Sequence, residues 1–492
     1  MNLSTVDFTI IAGYLLFIIS LGIYFGRKEE SLSDYFLGGR RVPWIAVLLS
    51  IVATETSALT FIGTPAFAYN QNWTYVQLLI GTILARFIIA KLFIEQFYRH
   101  NVFTAYEYLA KRFGTGSKNS ASFIFLVTRV LASGVRLFGA SIIVSVATGL
   151  SPFTAITIIA IAAVLYTVIG GIKAVIWTDV CQAIILFGGG LIALFYIFQD
   201  IPNGWDAVLS TTRGLSKWKF LDFSFDYRAA YTIWAGIIGS TFLTLATHGT
   251  DQDFVQRMLT ARDYTRSKRA LILSGFADIP IVIIFLSIGS LLFAYYQATP
   301  TPGLPSKADD IFPYYIIHNL PKGLIGLLIA GVFAAAMSSI DSALNALSTT
   351  WINDFYRPYI AKDASERHYL TMAKFFTVLF GLFLIVIAFF ARDTQQVLIL
   401  GLKIGTFTYG ALLGVFLLGV LTTRGNDLGN TISMGASIFT ILFIEFYTEV
   451  AWIWYVLIGT FVTFFVGYLF PDKQLSPSPP LPSVGENKSR GH

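Results

Sequence analysis

Many ionisable side chains stand inside otherwise apolar runs of this 492-residue sequence, among them Glu55, Arg86, Arg129, Arg136, Asp179, Asp278, Asp341, Lys403 and Glu445. In hydrocarbon such a group costs several kcal/mol, so it faces a partner or a cavity and by default marks the path of an ion or a solute. One run is rich in oxygen at helical spacing. In GVFAAAMSSIDSALNALSTT, Ala335, Ser338, Ser339 and Ser342 fall at i, i+3, i+4 and i+7 on one helix face, and Asp341 lies three residues beyond Ser338. Helix packing through small residues accounts for the Ala and Ser but not for the Asp. Hydroxyls and a carboxylate are hard oxygen donors, which suit Na+ better than a soft metal. Asp179, in AVIWTDVCQAI on another run, supplies a candidate second carboxylate. A proton is an equally legitimate load for such an acid, so Asp179 and Asp341 also define a rival, proton-driven reading.

A second run, SIVATETSALTFIGT from Ser50 to Thr64, interrupts an apolar stretch with Thr54, Glu55, Thr56, Ser57 and Thr60, and Pro65 follows. Two arrangements fit it. One is a kinked, continuous helix whose hydroxyls bond back to their own backbone. The other is a discontinuous helix, which frees carbonyls for a cation and turns a half-helix dipole towards an anionic group. For Arg86, Asp278 and Glu445, pairing that holds helices together fits as well as a functional role.

The elements that must carry these residues are membrane helices. The chain is 55% hydrophobic and only 13% charged, against roughly a quarter charged in soluble proteins, which excludes an ordinary soluble domain. With about 20 apolar residues per crossing as the ruler, thirteen spans are predicted. They are Phe8 to Phe25, Val42 to Tyr69, Trp73 to Ile94, Ser122 to Thr148, Phe153 to Gly170, Ala174 to Phe198 and Tyr231 to His248. The remainder are Ala270 to Tyr296, Gly323 to Thr349, Tyr369 to Ala391, Gln395 to Leu421, Thr431 to Tyr447 and Ala451 to Phe470. The first run has no basic leader and no small-residue cleavage site, so it is expected to be a retained span.

Formal charge is +6, but the basic residues are strung along connections rather than gathered on a face interleaved with aromatics, which argues against nucleic acid. Taken alternately, the connections place Arg27, Lys28, Arg40, Arg41, Arg99, Lys111, Arg112, Lys118, Lys173, Arg257, Arg262, Arg266, Lys268 and Arg269 on one side. The same side holds Arg357, Lys362, Arg367, Lys374 and Arg424, while the other has mainly Arg213, Lys217, Lys219, Arg228, Lys307, Lys322 and Arg392. The richer side is expected to be cytoplasmic, with the N-terminus outside and the C-terminus inside. The end from Pro471, with SPSPPLPS, is expected to be a disordered cytoplasmic tail. Cys181 is the one cysteine, no Cys/His cluster has zinc spacing, and neither a P-loop nor an HExxH occurs.

Five segments in order along the chain carry a resemblance: DYFLGGRRVPWIAVLLS (Asp34 to Ser50), TAYEYLAKRF (Thr104 to Phe113), GGIKAVIWTDVCQ (Gly170 to Gln182), DFVQRML (Asp253 to Leu259) and AAAMSSIDSALNALSTTWINDFY (Ala334 to Tyr356). The chain resembles the sodium/solute symporter family, whose members include transporters of sugars, proline, sialic acid, pantothenate, choline and iodide. The resemblance implies an all-α membrane protein with a leucine-transporter-like core of two inverted five-helix repeats. The implied partition is residues 1–41 for an extra helix and first loop, 42–421 for the core, 422–470 for two further helices and 471–492 for the tail.

The resemblance also implies a broken first core helix. Its primary sodium site would take the carbonyls of Ala53, Thr56 and Ala335 with the hydroxyls of Ser338 and Ser339. Members with a second sodium use positions matching Asp179, Ser338, Asp341 and Ser342. Here Asp341 stands where several members have a small hydroxyl residue, although choline transporters are similar in having an acid. Solute would lie beside the break, making Glu55, Ser57, Thr60, Gln77, Arg129, Arg136, Lys403 and Tyr409 candidates. Arg129 and Arg136 are seven apart and share a helix face, and Arg129 aligns with an arginine that meets the carboxylate in sialic acid transporters. Glu55 stands where those members have hydroxyls and would repel an anion unless paired. A zwitterion, or a polyol beside a salt-bridged Glu55, suits that mix.

The expected function is Na+-driven symport of a small organic solute (sugar, polyol, amino acid or carboxylate) by alternating access in the plasma membrane. The bilayer is the expected partner, and a single copy is expected to suffice. The rivals are a proton-coupled carrier using Asp179 and Asp341 and a transporter-like membrane sensor. An intramembrane enzyme is disfavoured, since no nucleophile and base stand at motif spacing.

Overall fold

A computed structural model describes residues 3–26, 31–391 and 397–471. Arg27, Lys28, Arg392, Gln395 and the expected tail beyond Pro471 lie outside the described residues. Nineteen α-helices run in the order α1 Thr5–Gly26, α2 Leu32–Leu37, α3 Trp44–Glu55, α4 Ala58–Asn70, α5 Leu78–Leu92, α6 Ile94–Arg99, α7 Ala105–Arg112, α8 Thr115–Thr148 and α9 Pro152–Asp200. They continue as α10 Gly204–Thr212, α11 Ser240–Gly249, α12 Gln252–Leu259, α13 Tyr264–Ala298, α14 Ile311–Asn319, α15 Leu324–Thr350, α16 Glu366–Phe390, α17 Val397–Leu421, α18 Asp427–Tyr447 and α19 Tyr455–Tyr468. The described residues contain one isolated β-bridge, between Val42 and Ala261.

Among the described residues nine helices are long and apolar enough to cross a membrane, or ten with the bent pair α3 and α4 taken as one. The sequence expectation of thirteen differs for identifiable reasons. The spans expected at 153–170 and 174–198 lie end to end in α9, a 49-residue stretch made of two helices that meet at a kink. At 1.5 Å per residue that is about 73 Å, more than twice the hydrocarbon thickness. Gly171 breaks it at φ 51°, ψ −149°. A Cβ there would sit 2.3 Å from the Tyr35 carbonyl oxygen, so the turn requires glycine. The expected span 231–248 is a five-residue π-helical turn, Ala235–Gly239, leading into the ten-residue α11. The last is split between a 3-10 turn and the 14-residue α19.

Close packing depends on small residues. Gly22 and Gly26 of α1 lie against Tyr166 and Gly170 of α9, where a Cβ on Gly26 would meet the Gly170 Cα at 2.1 Å. Such small-residue faces are how helices approach where no hydrophobic effect drives them together. α15 is the central helix: 89% of its most apolar window is buried, against 22% for α1. The helix with the oxygen-rich face is therefore enclosed by protein on all sides, whereas the first span lies at the lipid.

Candidate functional site

The tie over residues 50–64 resolves to a discontinuous helix. α3 ends at Glu55, Thr56 leaves helical geometry at φ −84°, ψ 75°, and Ser57 caps α4 with its side chain. The two halves meet at 56°. The Ser57 amide donates to the Glu55 carbonyl (3.0 Å) rather than to Ala53, and the Thr60 amide to Ser57 Oγ (3.4 Å) rather than to Thr56. The Ala53 and Thr56 carbonyls thereby lose their helical donors. Ser338 Oγ of α15 donates to the Ala53 carbonyl at 3.2 Å and to the Ala335 carbonyl at 3.2 Å, and Ser339 Oγ approaches Ala335 at 3.4 Å. Ala53, Ala335, Ser338 and Ser339 are thus one cluster, and Thr56 lies three residues beyond Ala53 at the break. Ser57 and Thr60 span the break, Thr60 Oγ1 reaching the Glu55 carbonyl at 3.5 Å.

Beside it is an acidic group. Asp341 accepts from the Tyr166 hydroxyl and from the Ser342 amide (2.5 Å), and Ser342 Oγ donates to the Ser338 carbonyl at 2.9 Å. Asp179 accepts from Ser50 Oγ at 2.5 Å and lies 3.3 Å from Arg257 Nη2. Its Oδ1 and both amide atoms of the neighbouring Gln182 are buried without hydrogen-bond partners. Oxygens of this kind are suited to a cation.

Arg257 corrects the sequence reading, which counted it with the connection charges. It is wholly buried, with Nη1 2.6 Å from Asp253 Oδ1 and Nε donating to Ser50 Oγ. Asp253 in turn lies 3.2 Å from Arg129 Nη1; Arg129 also pairs closely with Asp251, which accepts from the Tyr409 hydroxyl at 3.0 Å. A chain of ion pairs, Arg129–Asp253–Arg257–Asp179, therefore links a candidate solute residue to a candidate ion residue across α8, α12 and α9. Arg136, about 10 Å further along α8, has no ion-pair partner among the described residues.

Glu55 is paired. Its Oε1 lies 2.5 Å from Arg86 Nη2 and 2.7 Å from His248 Nε2, and the same Arg86 nitrogen lies 2.8 Å from Asp278. Arg86 Nη1 donates to Ser274 Oγ at 2.7 Å. Glu55 is thus a paired carboxylate, sharing its arginine with Asp278. Two candidates stand apart. Gln77 is consumed by the Thr74 and Tyr231 carbonyls (3.1 and 3.0 Å) and by the Asp222 amide (2.9 Å), fastening the 222–231 connection to α5. Lys403 pairs with Glu445 at 2.7 Å, where Tyr455 also donates at 2.6 Å, among α17, α18 and α19.

The sodium:solute symporter family model matches residues 35–436. The chain belongs to this family. The sodium/sialic acid symporter SiaT of Proteus mirabilis (strain HI4320) is 30% identical, over 96% of this chain and 97% of that protein. The sodium/sialic acid symporter NanT of Aliivibrio fischeri (strain ATCC 700601 / ES114) is 31% identical, over 95% and 93%. A solved substrate-bound, outward-open structure of a Na+-coupled sialic acid symporter superimposes with a TM-score of 0.89 at 29% identity, covering 96% of this chain and 100% of that one. Mhp1, a nucleobase-cation-symport-1 family transporter, shares the fold, with a TM-score of 0.57 at 13% identity over 88% of this chain and 93% of that one. The symporter is a multi-pass membrane protein, its activity is sodium:solute symport, and Na+ is the coupling ion.

Residues that sequence reasoning missed as site candidates are Ser50, Tyr166, His248, Asp251, Asp253 and Arg257. The signal for three of them was present in DQDFVQR, a short run with three ionisable groups following an apolar span. A connection and a buried helix share such a composition. All eight residues of α12 are buried.

Proposed function

We propose that the symporter moves a hydroxylated carboxylic acid, of the sialic acid type, with Na+ held between the broken helix and α15. The single observation that carries the ion site is the convergence of Ser338 Oγ on the Ala53 and Ala335 carbonyls at 3.2 Å each, at a helix interruption. Ala53, Thr56, Ala335, Ser338 and Ser339 are the primary ligands; Asp179, Asp341 and Ser342, with Ser338, form a second cation site. The solute sits beside Glu55, Ser57 and Thr60, with its carboxylate towards Arg129 and Arg136 and Tyr409 nearby. The pairing of Glu55 with Arg86 lessens its repulsion of an anionic solute and so supports this reading. Gln77 and Lys403 are supporting residues in this reading.

Thirteen crossings follow if α9 is counted as two and 233–249 and 452–468 as one each, with the core at 42–421, extra helices at 1–41 and 422–470, a tail at 471–492, the N-terminus outside and the C-terminus in the cytoplasm. Coupling runs through the buried ion pairs. A carboxylate at Arg129 or Arg136 competes with Asp251 and Asp253; Asp253, freed from Arg129, holds Arg257 more strongly; Arg257 then releases Asp179 to a cation. Solute and ion favour each other, and the loaded core rocks to the other side.

The test is a thermal-shift screen of the purified symporter against organic acids, sugars, polyols and amines, in Na+ and then in K+. Hydroxylated carboxylates stabilising only in Na+ is the expected result. Hits confined to neutral polyols or amines would overturn the solute class, and equal shifts in K+ would overturn the ion site.

A further inference from the structure

A cleft of about 710 Å³ on the basic side of the protein is lined by Gly39, Arg40, Arg41, Val42, Pro43, Trp44, Arg262 and Arg266. Four guanidiniums share it, and none of the lining residues is acidic; the carboxylates at its edge are Asp263, 3.6 Å from Arg266 Nε, and Asp34, whose Oδ1 lies against Gly39. Gathering like charges is unfavourable unless an anion neutralises them. The backbone is bent to assemble them: Gly38, Gly39 and Arg40 are left-handed in succession, at φ 60°, 60° and 53°. A left-handed arginine is uncommon and marks a conformation held by its surroundings. Here Arg40 Nη2 donates to the Val102 carbonyl at 3.1 Å, and the Val42 amide donates to the Thr260 carbonyl at 3.2 Å, which joins the two arginine-bearing segments. Arg41 and Arg262 are exposed and have no ion-pair partner among the described residues.

The cleft lies at the membrane boundary. Arg269, one turn along α13 from Arg266, stacks over the Trp44 ring at 5.4 Å, at the first turn of α3. An indole over a guanidinium is suited to the headgroup layer. Beyond it the surface turns apolar: Ile45 is 54% exposed, and Leu273 and Phe276, on the same α13 stripe as Arg266 and Arg269, are 39% and 45% exposed. Charge below and an exposed apolar strip above is the profile of an anionic phospholipid, with the phosphate among arginines and acyl chains along Ile45, Leu273 and Phe276.

We propose that this cleft binds the phosphate of an anionic phospholipid, clamping the segment that leads into the broken helix to the start of α13. The continuous apolar strip favours a lipid over a free phosphate ester, which would use the arginines alone.

The test is native mass spectrometry of the full chain released from mixed micelles with equal phosphatidylglycerol and phosphatidylcholine, with glycerol phosphate as a soluble competitor. The wild type is expected to retain phosphatidylglycerol about twenty-five-fold over phosphatidylcholine. Each arginine replaced in Arg41→Gln and Arg262→Gln should cost about fivefold, so the double variant approaches parity. Arg228→Gln, at an exposed pair with Glu449, should leave the preference intact. No preference in the wild type overturns the site without reference to any variant, and a preference that survives the double variant overturns its location. Displacement by glycerol phosphate at equal concentration overturns the lipid and assigns a soluble phosphate ester instead.

Discussion

Ser338 joins the two halves of the candidate ion cluster, since its hydroxyl reaches carbonyls on both α3 and α15. Ser338→Ala removes a donor to Ala53 and an oxygen from any bound cation. Charge-assisted contacts of this kind are worth about 1.5–3 kcal/mol, so the half-saturating Na+ concentration should rise about tenfold or more in proteoliposome uptake; an unchanged value would remove Ser338 from the ion site. Arg86 is the converse case, a cation shared by Glu55 and Asp278. Arg86→Met leaves two buried acids facing each other, and breaking a buried pair costs about 3–5 kcal/mol. The detergent-solubilised protein should melt well below wild type, and Arg86→Lys should recover part of the loss; a Met variant that melts like wild type would show the pairing to be dispensable.

Elements impose requirements that their residues alone do not reveal. α9 turns at Gly171 because the left-handed geometry there and the Tyr35 carbonyl leave no room for a side chain. Gly171→Ala should therefore destabilise by more than Gly204→Ala, which shares a positive φ but meets nothing within 4 Å. The latter should lose about 1–2 kcal/mol, the cost of left-handed backbone alone. Comparable melting temperatures for the two would dismiss the steric part. Outside the spans, Lys217 caps α4: Nζ donates to the Tyr69 carbonyl at 2.5 Å and lies 4.0 Å from the Phe293 ring centre. Burial lowers its pKa from 10.5 to about 8. Between those values the unfolded chain holds a proton that the folded one has released, so stability should rise with pH through that window. The gain is of order 1 kcal/mol once solvent screening is discounted. Melting curves from pH 7.5 to 9.5 should rise for wild type relative to Lys217→Met; parallel curves would contradict the shift.

For the molecule as a whole, the proposed coupling through the ion pairs from Arg129 to Asp179 requires solute and Na+ to change each other's affinity by the same factor, as linkage demands. Asp253→Asn cuts the chain while sparing Ser338, Ser339 and Arg136. Solute affinity measured at high and low Na+ should differ by about tenfold in the wild type, a coupling of about 1.4 kcal/mol, and much less in this variant. An undiminished ratio would separate coupling from these residues. Sodium entry also carries charge. One net positive charge per cycle contributes about 2.3 kcal/mol per 100 mV, roughly fifty-fold in accumulation, so uptake should follow an imposed inside-negative potential.

The sequence by itself determined the membrane environment, the family and the α15 cluster, because hydropathy, ordered motifs and i, i+3, i+4 spacing are properties of local chain. Residue types near Glu55 fitted a kinked and an interrupted helix alike, and the family resemblance implied the interruption. The tertiary structure shows it, with Ser338, nearly three hundred residues away, offering a hydroxyl to the freed Ala53 carbonyl. The same holds for charge. Glu55 reads as an unpaired acid hostile to anions until Arg86 arrives from another helix, and Arg257 reads as a surface cation until α12 folds into the core. Spacing places side chains on a face of one helix; which charges neutralise each other is settled by what the other helices bring opposite that face.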